Sequence, residues 1–348
     1  MADLDIATRE LFIRTVKDQV FMRTPFIEEL MKRSQVTYRG GKTLERLVDR
    51  DELTDQGQAY TANQALVDNK KDVLTKPSFS WKNYQQPMRY DVDEYANNIL
   101  ADNEEQLLDL AEHLVKKAQR GIKLALQRMV FNVNPKLGTG SETGVADNSA
   151  YFQSLLSGLD HGVTYGGLSR TLGGANGWWE GSDPEGRPDV VTTSSQNAAY
   201  NMTIANIRKF IIPIQEYMDS MGDILIVVCP SLYNKLRAEM QSYQIYNPVP
   251  DTMNFGFQKM VLDGMTVMSV PYLENGYGSS GTTENWMFLI NLADWELRIH
   301  TARNFMQTPF VWQGEISNGF DFWLARILLR GNLVCWKPNG SMWLQNVS

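Results

Sequence analysis

Between residues 93 and 132 the chain repeats apolar residues at spacings of three and four: Leu107, Leu110, Leu114, Ala118, Ile122, Ala125 and Met129. That spacing puts them on one face of a helix. Asp102, Glu104 and Glu105 stand near its start, and Lys116, Lys117, Arg120, Lys123 and Arg128 stand toward its end. This is the polarity that complements a helix dipole. Asn134-Pro135 ends the pattern, because the residue before a proline is pushed out of the helical region. About 30 helical residues make a rod of ~45 Å, far longer than the mean helix. Such a rod cannot cover its own apolar face, and the expectation is that neighbouring copies in an obligate assembly supply the missing burial.

What precedes the rod is extended. Val36, Tyr38, Leu44 and Val48 fall on even positions and share one face of a strand. Arg39, Arg46, Asp49, Arg50, Asp51 and Glu52 crowd the same stretch, followed by the polar tip TDQGQAYTANQ. A return strand runs through Phe79 and Trp81, with Met88, Tyr90 and Val92 alternating after it. Residues 36–92 therefore read as a long, charged, two-stranded excursion; a lone hairpin is at best marginal in water, and the expectation is that this stretch lacks intramolecular partners and needs a neighbouring copy. Residues 1–35 carry mixed charge with scattered apolar residues. They suggest an arm with one or two short helices interrupted at Pro25.

Downstream the pattern is mixed. Residues 136–200, rich in Gly, Ser, Thr and Asn around Trp178-Trp179, read as a long irregular surface region. Ile204, Ile207, Phe210, Ile214 and Tyr217 return to helical spacing, with a kink expected at Pro213. DILIVV reads as a buried strand and SLYNKLRAEMQS as a helix capped by Ser231. Asp263-Gly264 is a two-residue hairpin turn between QKMVL and MTVMSV. After a polar loop at 274–285, WMFLIN reads as a buried strand. Trp295, Leu297 and Ile299 then alternate with Glu296, Arg298 and His300, which implies one wet face. DFWLARILL and NLVCW close the chain as strands, so the fold class is α+β.

The composition excludes several functions. With 33 Lys and Arg against 40 Asp and Glu, the 348-residue chain carries a net charge of −7. A protein that grips nucleic acid through its phosphates shows a basic surplus, so any such contact is expected to be weak and local. Cys229 and Cys335 each sit in an apolar run and read as buried free thiols, suited to a reducing cytosol. MADLDIATRE lacks the features of a signal peptide, and no apolar run reaches the ~20 residues that span a bilayer. The expectation is an aqueous cytoplasmic protein without membrane partners.

Catalytic signals are weak. Gly41-Lys42-Thr43 lacks the first glycine of a phosphate-binding loop, since Val36 stands at that position. His113, His161 and His300 neither pair at i, i+4 nor lie near a cysteine cluster, so no zinc site of usual spacing exists. There is no nucleophile elbow, and GVTYGGLSRTLGGANGWW does not follow the dinucleotide register. Glu104-Glu105 opens a helix, where dipole electrostatics explains it. Trp178-Trp179 reads as a packing anchor, with a ligand platform as the alternative. No catalytic residue, cofactor or metal is expected, and the chain is not read as an enzyme.

The order of parts, an arm, a charged excursion, a long helix and then a mixed α+β portion, resembles the HK97-fold major capsid proteins of tailed bacteriophages. The segments GLSRTLGGANGWW, TIANIRKFI, DILIVVCPSLYNKL, FGFQKMVLDGMTVMSVPYL, FLINLADWELRIH and ILLRGNLVCWKPNG are similar in kind to that family's text. The resemblance covers nearly the whole chain, and its weight lies in the combination. It implies an N-terminal arm at 1–35 and an extended loop (E-loop) at 36–92. It implies a peripheral (P) domain from 93–160 and 295–348, with a spine helix at about 102–132, and an axial (A) domain at 161–294.

In the family the E-loop lies over a neighbouring subunit. The resemblance therefore makes Arg39, Arg46, Arg50, Asp51, Lys70, Lys71 and Arg89 the candidates for inter-subunit ion pairs. It implies self-assembly as hexamers and pentamers into an icosahedral virion shell around double-stranded DNA, assembled in the bacterial cytoplasm. Implied partners are a portal protein and decoration or minor capsid proteins. About 35 residues precede the excursion, so either this is a mature form or a separate scaffolding protein guides assembly. An encapsulin-like compartment is the second shell reading. A carbohydrate-binding protein or hydrolase built around Trp178-Trp179 is the reading from another class.

Overall fold

The computed structural model describes residues 25–38, 40–50, 57, 59–64, 72–94, 110–131, 151–174, 176–186, 195–196, 198–243, 260–273, 285–313 and 321–348. In chain order the helices are α1 Pro25–Ser34, α2 Val92–Glu94, α3 Leu110–Val130, α4 Leu155–Leu159, α5 Ile204–Gln215 and α6 Pro230–Tyr243. The strands before α3 are β1 Gln35–Tyr38, β2 Thr43–Glu45, β3 Val48–Asp49, β4 Leu74–Thr75, β5 Ser78–Ser80 and β6 Lys82–Asp91. After it come β7 Ile224–Val228, β8 Met260–Leu262, β9 Met265–Ser269, β10 Asn285–Asn291 and β11 Trp295–His300. The last are β12 Met306–Gln307, β13 Val311–Trp312, β14 Phe322–Cys335 and β15 Met342–Val347.

The chain forms two compact units, and both β14 and α3 contribute residues to each. The larger takes Pro25–Tyr84, Ala125–Asn304 and Leu329–Ser348. One of its sheets runs β15-β10-β7-β9-β8. Every residue of β7 is buried, as the apolar run DILIVV predicts. β7 and β9 are parallel, with α6 between them in sequence, while β8 and β9 form the antiparallel hairpin expected at Asp263-Gly264. Both turn residues have positive φ, 48° and 88°, the geometry that a two-residue hairpin turn demands.

The helices start where the local chemistry allows. Thr203 caps α5, its Oγ1 accepting from Asn206 N at 3.2 Å, and Pro213 lies inside the helix. Pro230 is the first residue of α6, and Cys229 Sγ accepts from Leu232 N at 3.5 Å. Ser231 therefore sits within the helix and is not its cap. Pro25 likewise opens α1 instead of interrupting a helix, since a first-turn N–H needs no helical partner. Phe26, Ile27 and Leu30 form its buried face.

In the same unit β1 runs parallel to β11, and β11 pairs antiparallel with the C-terminal part of β14, from Trp295↔Cys335 to Ile299↔Gly331. Gly40 and Gly41 have φ of 118° and 88°, so the chain turns after β1 and does not continue as one strand to Val48. The even-numbered face of β11 is not wet. Arg298 is buried, with Nε 2.7 Å from Glu296 Oε2 and its guanidinium 4.8 Å from the Trp336 ring centroid. Ion pairing and stacking remove a polar side chain that alternation alone would place in solvent.

Much of the described part of 136–200 packs into the core, although residues such as Gly162, Thr164, Ser169 and Thr171 stay exposed. Phe152, Leu155, Leu159, Tyr165 and Trp179 are buried, together with Arg170, Glu180 and Asp183. Ser154 and Ser157 form a reciprocal capping box on α4. Arg170 replaces a regular hydrogen-bond ladder here. Its guanidinium donates to the carbonyls of Ser157 (2.8 Å), Gly158 (2.9 Å), Val163 (2.7 Å) and Trp179 (3.1 Å). At Gly158 a Cβ would meet the Trp295 side chain at 2.6 Å, so close packing here requires a residue typical of loops.

The described residues of the smaller unit fall within Gln85–Leu124 and Phe305–Leu328. The N-terminal part of β14 pairs antiparallel with β12 and β13. Tyr90 packs on Phe310 at 5.0 Å and stacks on Trp323 at 6.3 Å between ring centroids. Ala118 and Ile122 are buried on α3, as their spacing predicts, but this chain's own residues cover them, which corrects the expectation that neighbouring copies do so. The helical expectation at 102–109 lies outside the described residues.

One expected boundary meets a pairing across it. β15 was not foreseen as a strand. It pairs antiparallel with β10, so residues on either side of position 294 share one sheet.

Candidate functional site

Among the described residues no cluster of three or more His, Cys, Asp or Glu is placed to hold a metal ion. His161 Nε2 lies 2.9 Å from Gly181 O, and burial holds its pKa below the ordinary histidine value. His300 Nδ1 accepts from Ala302 N at 3.2 Å. Gly41-Lys42-Thr43 leads into strand β2, not into a helix, so it is no phosphate-binding loop. Trp179 is buried, and its Nε1 donates to Tyr165 O at 3.1 Å. It anchors the segment and offers no open stacking face. Both cysteines are buried free thiols, and burial pushes Cys335 well above the ordinary thiol range.

The site with functional content is the root of the charged excursion. Leu44, Phe79 and Trp81 are buried there by the chain's own residues. Phe79 meets Tyr165 and Trp336 edge-on, at 4.8 and 5.6 Å between centroids. Trp81 Nε1 donates to Gly41 O at 3.0 Å, and Asn332 Nδ2 donates to Ser80 O at 3.0 Å. The expectation that this stretch lacks intramolecular partners is thus corrected for its base, whose partners arrive from sequence far downstream.

Further out the cover ends. β3 and β4 pair for two residues each. Leu47 is 64% exposed, Leu74 59% and Tyr60 67%. Leu47 was a legible signal that sequence reasoning missed: three residues from Leu44 in an extended chain, it must face the other way. Arranged together are a firmly seated root and exposed apolar side chains beyond it. Such an arrangement can present a surface to another molecule.

Three of the candidate contact residues, Arg46, Arg50 and Arg89, are among the described residues. Arg46 Nη1 lies 3.5 Å from Glu296 Oε1 and its guanidinium 5.9 Å from the Trp336 ring centroid. Arg50 Nε donates to Asp72 O at 2.8 Å. Arg89 Nη2 pairs with Asp91 Oδ1 at 2.8 Å and covers the Phe322 ring at 4.1 Å. Each has a local partner within its own chain. Arg39, Asp51, Lys70 and Lys71 lie outside the described residues. An ion pair that was not anticipated joins Lys76 to Glu45, and the Lys76 hydrogen bond holds the Glu45 carboxyl below its ordinary value.

No protein-family model and no curated protein sequence matches the chain. Solved structures do. The capsid subunit of cyanophage A-1(L) aligns over 99% of this chain and 99% of its own, at TM-score 0.66 and 13% identity. The chain has the HK97-type capsid fold. Another subunit with this likeness comes from the capsid of a native GTA particle, at TM-score 0.56 and 10% identity over 99% of this chain and 96% of the other. The encapsulin of the holo-SrpI complex from Synechococcus elongatus PCC 7942 aligns over 100% of this chain and 95% of its own, at TM-score 0.57 and 9% identity. The HK97-type fold is legible here without sequence identity, because its layers are specified by burial patterns that many sequences satisfy.

Proposed function

We propose that this chain is a structural shell subunit, the major capsid protein of a tailed bacteriophage. Copies assemble as hexamers and pentamers into an icosahedral head that encloses double-stranded DNA. The observation that carries the reading is the likeness to a capsid subunit over 99% of both chains. Leu47 and Leu74 support it, because large apolar side chains so exposed on a charged excursion are suited to cover by a second copy.

In this reading the chain has no catalytic role. Residues 36–92 form the E-loop, 93–160 with most of 295–348 the P domain, and 161–294 the A domain. We assign Met342–Val347 to the sheet of 161–294, on the strength of its pairing with β10. The candidate inter-subunit contacts remain Arg39, Arg46, Arg50, Asp51, Lys70, Lys71 and Arg89. Arg46 and Arg89 exchange or share their present partners on assembly. An exposed pair contributes ~0–1 kcal/mol, so these residues set register more than strength. A scaffolding protein, a portal and decoration proteins complete the proposed particle.

The encapsulin likeness favours a second reading, a cellular compartment built on the same fold. Gradient-purified particles treated with nuclease separate the two. Protected double-stranded DNA supports the phage head, and enclosed protein cargo without DNA supports the compartment. Recovery of neither particle, from cells that express the chain with its genomic neighbours, overturns both.

A further inference from the structure

In a protein of net charge −7, one stretch runs strongly the other way. His113–Val130 contains Lys116, Lys117, Arg120, Lys123 and Arg128 and no Asp or Glu. On the helix α3 that holds it, Lys116, Lys117, Arg120 and Lys123 are exposed, while Ala118 and Ile122 face inward. The spacing from 116 to 120 to 123 is i, i+4, i+7, with Lys117 alongside. Four cations thus line ~10 Å of one helix face.

The nearest described acid on that face is Glu112, which pairs with Lys116 at 2.5 Å. Lys117 and Lys123 make no ion pair among the described residues. The exposed positions from 112 to 123 are otherwise only Gln119, with no apolar side chain among them.

We propose that this face of α3 is a sequence-independent contact for the phosphate backbone of double-stranded nucleic acid. The inference deepens the shell reading, in which such a molecule is enclosed, and rests on it. Charge complementarity selects the partner. A folded protein partner needs an apolar patch at the centre of its interface, and this face has none. An anionic bilayer takes up a basic helix through its apolar face, and here that face is buried in the fold. What remains is a row of mostly lysine point charges, which suits a uniform polyanion and reads no base edge. Few cations per copy also keep the contact weak, so enclosed nucleic acid is held without being trapped.

The test uses the full-length chain and a mixed-sequence DNA duplex of about 30 base pairs, titrated by fluorescence anisotropy across a salt series. The wild type is expected to bind with a log–log salt slope of about −2 to −4. Lys117→Glu with Lys123→Glu should weaken binding at least about tenfold near 50 mM salt and flatten the slope by about two. Lys209→Glu with Lys235→Glu makes the same charge change at exposed positions elsewhere and should leave affinity within about twofold. If the glutamates impair folding, Lys117→Gln with Lys123→Gln should flatten the slope in the same direction.

Equal losses in both double variants, or wild-type binding that ignores salt, overturn the proposal. So does poly-glutamate binding as tightly as DNA of equal charge, which assigns the face to an acidic protein. Micrographs of the same variants keep the outcomes separate: shells that form without the DNA contact refute this inference alone.

Discussion

Asn332 Nδ2 donates to the backbone oxygen of Ser80 at 3.0 Å, so the long closing strand holds the root of the excursion across 252 positions of sequence. The same side chain accepts from Gln153 N at 2.8 Å and from Leu333 N at 3.0 Å. One fully buried amide therefore ties three distant segments together. Asn332→Leu keeps the approximate volume but strands these backbone groups. It should cost ~2–4 kcal/mol, read as a lower urea midpoint with unchanged m-value. A loss below ~0.5 kcal/mol would mean that water replaces the amide and that the root is seated by other contacts.

Arg170 does for the 151–186 segment what a strand ladder does elsewhere. Replacing it by Met removes four carbonyl partners from a buried site and should cost at least ~3 kcal/mol. Arg170→Lys should recover only part of that loss, because an ammonium cannot reach all four acceptors in the plane of a fork. Thermal unfolding of the two variants distinguishes this ranking from a simple requirement for positive charge.

Asp294 gives the fold a pH dependence. Burial raises its pKa from the ordinary aspartate value of 3.8 to about 6, although Lys337 opposes the shift and its Oδ2 accepts from Asn291 Nδ2 at 2.7 Å. The folded chain thus binds this proton more tightly than the unfolded chain. Its stabilising contribution is complete below the unfolded value and is lost as pH rises through about 6. The span is up to ~3 kcal/mol. The difference in unfolding free energy between wild type and Asp294→Asn should fall steadily from pH 4 to pH 7. A flat difference would contradict the assignment.

These residues show which parts of the chain are legible in advance. Local periodicity reveals β7, α5, the Asp263-Gly264 hairpin and the apolar face of α3, because each depends on neighbours in sequence. Burial of the 151–186 segment depends on Arg170, and the seating of Phe79 depends on Trp336, both decided by distant pairings. Arg298 looks wet by alternation and is dry because Glu296 and Trp336 meet it. β15 is short and follows a turn at Pro338-Asn339-Gly340, so its strand character comes from β10 beside it. At the candidate site, sequence reasoning found the charged residues and overlooked Leu47 and Leu74. Charge is conspicuous in text, whereas exposure of a leucine is a property of the fold.

Those two leucines separate folding from assembly. Leu47→Ser and Leu74→Ser remove side chains already in water, so each should change stability by no more than ~0.5 kcal/mol. Both should lower the yield of particles in sedimentation analysis, because the lost area is covered only between copies. Normal assembly of the double variant would remove the excursion beyond its root from the proposed interface.

Electron microscopy of the full-length chain, expressed with and without a scaffolding protein from its own genomic neighbourhood, tests the shell assignment most directly. Closed particles built from repeated copies of the HK97-type fold are the expected result. Discrete monomers at every concentration and in both expression conditions would contradict it.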